Sequence, residues 1–86
     1  MLMLTPALSR AARALLDWSQ EQLAEAAHLG LSTVRDFERG RRVPSFNNLA
    51  GIERALREAG IDFTPENGGG AGVRFRLRKD GTREDH

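Results

Sequence analysis

If residues 31–39 are helical, Leu31, Ser32, Arg35, Asp36 and Arg39 take one side while Val34 and Phe37, three apart, point the other way. The outward set mixes side chains that can bond to base edges with one that can pack on them. A guanidinium such as that of Arg35 can bond two acceptors of guanine at once, which is worth ~1–3 kcal/mol of discrimination, and Leu31 can pack on a thymine methyl. This outer set is the candidate reading face, directed at the major groove of DNA. Just beyond it, Arg41 and Arg42 stand on a loop where they can neutralise phosphates, which supplies affinity rather than sequence information. The competing reading of Arg35 is an intrahelical pair with Glu38.

Such a face needs a scaffold, and residues 20–40 read as two short helices joined by a tight apolar turn. Ala24 is the small residue needed where two steeply crossed helices approach, with Leu23, Leu29, Val34 and Phe37 on the shared inner side. Ser19 and Gln22 form a capping box that starts a helix over 20–27. His28 then takes the left-handed turn position, where Gly is usual and His is tolerated, and is read as a turn residue rather than a metal ligand. Gly30 caps the next helix without a side-chain bond. Upstream, Thr5 and Pro6 open a helix over 6–16 with Leu8, Ala12, Leu15 and Leu16 as its apolar stripe. Downstream, Arg41-Arg42-Val43-Pro44 cannot continue a helix, and Ser45 caps one over 46–59 with the stripe Phe46, Leu49, Ile52, Leu56 and Ala59. Trp18, just before a cap, is read as a core residue.

After Gly60 the hydrophobic period changes from that of a helix to that of a strand. Ile61 and Phe63, then Val73, Phe75 and Leu77, alternate with polar residues, predicting strands over 61–64 and 73–77. The glycine-rich stretch between them lacks the Lys-Ser or Lys-Thr and the helix that a phosphate loop requires, so it is a flexible connection. A lone two-stranded hairpin is marginal in water. Its apolar face, Phe63, Val73, Phe75 and Leu77, is therefore expected to join two chains as a homodimer, with Arg74, Arg76 and Arg78 facing solvent. Pairing of residues 1–4 with the hairpin is the alternative.

The sum is a mainly α domain over 1–78, four helices with a short C-terminal β-hairpin, and a polar tail over 79–86. With 86 residues and no cysteine, the chain has one small core, no disulfide framework and no thiolate zinc site, and its second histidine, His86, is terminal. No cofactor or metal is expected. Residues 1–4 are too short for a membrane span and lack the flank of a secretory signal, so a cytoplasmic location without membrane attachment is expected. The net charge of +1 carries no argument by itself. Its distribution does: Arg35, Arg39, Arg41 and Arg42 surround the end of helix 31–39, a second basic cluster is Arg74, Arg76, Arg78 and Lys79, and acids gather at Asp17, Glu21, Glu25, Glu53, Glu58 and Glu66. Ser19, Ser32 and Ser45 are explained as caps or surface hydroxyls, which leaves no nucleophile with an oriented base and argues against an enzyme.

The motifs Trp18-Ser19-Gln20-Glu21-Gln22-Leu23-Ala24, Leu31-Ser32-Thr33-Val34, Phe37-Glu38-Arg39-Gly40 and Val43-Pro44-Ser45 together resemble the lambda-repressor/Cro-type, or XRE, family of helix-turn-helix regulators over about 11–60. The resemblance implies a lambda-repressor-like fold and a transcriptional regulator that binds double-stranded DNA. It places Leu31, Ser32, Arg35 and Asp36 at base-facing positions, and Gln20 where a residue touches phosphate and braces helix three. It likewise places Arg41, Arg42, Ser45 and Phe46 where the loop and helix start hold the backbone; Arg39 joins this phosphate-binding set through its place in the basic cluster. Arg13 and Glu38 match a pair that ties helix one to helix three. His28, Gly30 and Leu31 depart from the usual residues, and the chain turns to strands where the family usually has a fifth helix. The alternative function is a DNA-binding antitoxin-like module whose main partner is another small protein, although the tail over 79–86 offers no apolar anchor for one.

Overall fold

Residues 3–64 and 70–76 are described by the computed structural model, as four helices followed by an antiparallel two-stranded hairpin. Helix α1 (Pro6–Leu16) starts where Thr5 Oγ1 accepts from the Leu8 N–H at 3.1 Å. It closes on Asp17 in the left-handed conformation, with the Trp18 N–H reaching back 2.9 Å to the Arg13 carbonyl. Helix α2 (Gln20–Ala27) has both bonds of the capping box, Gln22 N–H to Ser19 Oγ at 3.0 Å and Ser19 N–H to Gln22 Oε1 at 2.8 Å. His28 ends it at φ 59°, which lets the Leu29 N–H reach the Ala24 carbonyl at 2.9 Å and turns the chain sharply. Helix α3 (Leu31–Glu38) follows Gly30 with no side-chain cap, and helix α4 (Phe46–Glu58) follows Ser45, whose Oγ accepts from the Asn48 N–H at 3.2 Å.

Helices α3 and α4 each stop one residue before the ends expected at 39 and 59, because Arg39 and Ala59 serve as caps. Strand β1 (Ile61–Thr64) pairs with β2 (Gly72–Phe75), placing Ile61 opposite Phe75 and Phe63 opposite Val73. The second strand was expected over 73–77, but Arg76 leaves the ladder and gives its N–H to the Gly60 carbonyl at 2.7 Å. Leu77, Arg78, Lys79 and the tail lie outside the described residues, as does most of the glycine-rich connection.

The core gathers Ala12 from α1, Leu23, Ala24 and Ala27 from α2, Val34 and Phe37 from α3, and Ile52, Ala55 and Leu56 from α4, with Trp18 and Leu29 packed against it. Of the expected stripe residues, Ala59 is half-buried as the cap of α4, and two others are exposed. Leu15 is 37% exposed because the buried arc of α1 is rotated toward Ser9, which is fully enclosed. Phe46 is 69% exposed because the buried arc of α4 centres on Ile52, Ala55 and Leu56 and passes it at the helix start.

The hairpin folds onto its own chain, β1 against α4 and β2 against α1. Ile61 and Phe63 are core residues, the Arg57 guanidinium lies 4.9 Å from the Phe63 ring centroid, and Val73 and Phe75 are half-buried against the core. This corrects the expectation that Phe63 faces a second chain, since only 7% of it is exposed. Nor is Arg76 simply a solvent-facing charge: its guanidinium bonds Asp62 Oδ1 at 3.3 Å and the Arg57 carbonyl, while Arg74 is exposed. Met3 packs on the core and gives its N–H to Glu53 Oε1 at 2.9 Å.

Candidate nucleic-acid interface

The last residue of α3 decides how that helix is held. Glu38 turns inward, with its side chain 1% exposed, and its carboxylate is ringed by donors. Arg13 contributes Nη2 at 2.7 Å and Nε at 3.0 and 3.2 Å, Ser9 Oγ donates at 2.5 Å, and Gln20 Nε2 at 3.0 Å. Arg13 also reaches the Trp18 carbonyl at 3.0 Å, and Arg10 donates to the backbone carbonyl of Glu38. Burial alone would push the Glu38 carboxyl up, but the hydrogen bonds from Arg13, Ser9 and Gln20, together with the charge of Arg13, hold it below the usual range. One carboxylate thus ties α3 to α1 and to the start of α2. Arg13 and Glu38 are brought together as a pair, and Gln20 joins them. Ser9 and Arg10 were not singled out in the sequence, although Ser9 stands one turn before Arg13 on the same helix.

Because Glu38 is engaged inside, it does not pair with Arg35. On the outer side of α3, Leu31 is 37% exposed, Ser32 is exposed, and Arg35 and Asp36 are half-buried. Among the described residues, the side chains of Ser32, Arg35 and Asp36 make no hydrogen bond or ion pair, and the same holds for Arg39, Arg41 and Arg42. The turn after α3 needs a left-handed residue, supplied by Gly40 at φ 74°, and brings the Arg41 N–H within 2.9 Å of the Asp36 carbonyl.

A groove of about 300 Å³ runs between α3 and the start of α4, lined by Ser32, Thr33, Asp36, Arg42, Val43, Pro44, Ser45 and Asn48. It collects Ser32, Asp36, Arg42 and Ser45 from the candidate set. Leu31, Arg35, Arg39, Arg41 and Phe46 are not in its wall. Val43, 89% exposed, along with Thr33 and Asn48, was not among the candidates. A loop valine and an asparagine one turn inside a helix carry no local signal that they share a wall with α3.

The surface therefore offers donors and acceptors without partners beside arginines without counter-charges, which suits a polyanion whose edges can be read. Among the described residues no group of His, Asp or Glu is placed to hold a metal, and no helix is long and apolar enough to cross a membrane. Comparison with curated proteins gives no significant match. A helix-turn-helix family model matches residues 10–62, from the middle of α1 into β1, which is more than half of the chain and includes α2, α3 and the groove. The chain belongs to the lambda-repressor/Cro-type (XRE) helix-turn-helix family, a family of DNA-binding regulators and not of enzymes.

Proposed function

We propose that this protein is a sequence-specific regulator of transcription that binds double-stranded DNA as a homodimer and reads the major groove with α3. The observation that carries the reading is the contrast across that helix: Glu38 on its inner side is ringed by donors, while the side chains of Ser32, Arg35 and Asp36 on its outer side make no hydrogen bond or ion pair among the described residues. Leu31, Ser32, Arg35 and Asp36 meet base edges, with Arg35 on guanine and Leu31 on a thymine methyl. Gln20, Arg39, Arg41, Arg42, Ser45 and Phe46 hold the phosphates, the last two through main-chain N–H groups at the start of α4. Arg13 and Glu38 touch no DNA and fix the pose.

A two-fold site requires two copies of α3 about 34 Å apart, and hence a defined contact between chains. The hairpin is the proposed place, through Leu77 and the parts of Val73 and Phe75 that the core leaves uncovered, beside the buried Phe63. Selection of bound sequences from a random duplex pool tests both parts. A two-fold motif is expected; a single unrepeated half-site would remove the dimer, and no enrichment at all would remove sequence-specific binding.

A further inference from the structure

We infer that Asp36 specifies a cytosine in each half-site, acting mainly by rejecting the other bases; this rests on the proposed reading of DNA by α3. Asp36 stands on the outer side of α3 one turn beyond Ser32, is half-buried, and lines the same groove as Arg42. Four arginines, Arg35, Arg39, Arg41 and Arg42, flank it in sequence, yet among the described residues its carboxylate makes no ion pair and no hydrogen bond. A carboxylate that the fold leaves unneutralised amid arginines weakens attraction to phosphate, so general affinity does not account for it.

Against a base edge its chemistry is narrow, because an ionised carboxylate can only accept. Guanine presents N7 and O6 to the major groove and thymine presents O4, all acceptors that repel it. Adenine offers its N6 amino group but sets N7 beside it. Cytosine offers the N4 amino group flanked on its own edge by a C–H rather than an acceptor, so it satisfies the carboxylate with the least opposition. A charge desolvated against the wrong base is left without a partner, which is why the effect is exclusion more than attraction.

The test is selection from a random duplex pool with the full chain and with Asp36→Ala and Asp36→Asn. The wild type should select cytosine at one position of each half-site, by about tenfold over the other bases, within what one good base contact provides. Asp36→Ala should flatten that position alone while binding to unrelated duplex strengthens. Asp36→Asn should move it toward adenine, whose N6 and N7 match a carboxamide. A wild-type motif that Asp36→Ala leaves unchanged, or that gains strength equally at every sequence, overturns the assignment of Asp36 while leaving DNA reading by α3 intact. A wild type that enriches no motif overturns both.

Discussion

Replacing Glu38 with Ala should cost about 3–5 kcal/mol, because it removes one partner of a buried ion pair and strands the other. The Arg13 side chain is 19% exposed against 1% for Glu38, so the stranded guanidinium regains some water and the lower end of that range applies. Ser9 Oγ and Gln20 Nε2 lose their acceptor as well. For 86 residues the whole stability is about 4–13 kcal/mol, so a loss of ~3 kcal/mol would lower the melting temperature by roughly 12–24 °C. Urea unfolding followed by far-ultraviolet circular dichroism measures it, and the double variant with Arg13→Ala should lose less than the two single losses combined. Acid gives an independent reading. The folded-state pKa of Glu38 is lowered from its ordinary 4.5, so its contribution is complete above that value and is lost as pH falls through the lowered one. The stability gap between wild type and Glu38→Gln should be constant above about pH 5 and shrink below it. A gap that does not change with pH, or a Glu38→Ala variant that unfolds at the wild-type urea concentration, would refute the account of Glu38 as an ionised hub.

Arg35→Ala should relax preference at one position of each half-site, whereas Arg41→Ala should weaken all sequences alike and reduce the salt slope by about one per chain, so equal loss of specificity in the two contradicts their separate roles. Gly51 lies inside α4, where an added Cβ would meet the Ala27 carbonyl oxygen at an ordinary 3.6 Å; Gly51→Ala should stabilise by about 0.5–1 kcal/mol in chemical denaturation, and destabilisation would mean that α2 and α4 are closer than described. His28→Gly relieves a left-handed conformation at φ 59° and should gain up to about 1 kcal/mol after the added chain entropy of glycine; a lower melting temperature would count against this. Ile61→Ala should cost ~2–5 kcal/mol because Ile61 is wholly enclosed, and a chain ending at Gly60 should for the same reason show little cooperative unfolding; a sharp transition in that truncated chain would show that the hairpin is dispensable to the core.

What the sequence makes legible here is what is local. Thr5 with Pro6, Ser19 with Gln22, and Ser45 each announce a helix start because a cap bonds within its own first turn. His28 is legible for the same reason, as the residue between two helical periods. The stripes of α1 and α4 misplace Leu15 and Phe46 because periodicity defines a face but not how far the neighbouring elements extend over its ends. Alternation likewise gives the two faces of the hairpin without naming what covers them, and α1 and α4 enclose Ile61 and Phe63 while leaving Val73 and Phe75 half-exposed. The pair Arg13 and Glu38, 25 positions apart, has no local signal and shows only as a family resemblance. Ser9, 29 positions from Glu38, carries no signal in the sequence, since a serine at the margin of an apolar arc looks like a surface residue until its acceptor is known. Glu53 shows the same limit: its bond to Arg57 is an ordinary one-turn pair, but its bond to the Met3 N–H spans 50 positions.

The hub and the reading face belong to one mechanism. An isolated helix of eight residues, such as α3, is not stable in water, so its length and pose are imposed by what it packs on. Val34 and Phe37 bury it but are nondirectional, and apolar contacts alone leave a short helix free to rock about its axis. Glu38 removes that freedom by bonding α1 through Ser9 and Arg13 and the start of α2 through Gln20, with five hydrogen bonds that each fix a direction. Base contacts tolerate only small errors in position, so directional restraint at the inner end of α3 is what lets Arg35 and Asp36 discriminate on the outer side. Among the described residues no buried side-chain nitrogen or oxygen lacks a partner. The polar groups that α3 and its following turn hold outward, Ser32, Arg35, Asp36, Arg39, Arg41 and Arg42, are thus left to solvent or to a ligand, and none is needed to satisfy the interior.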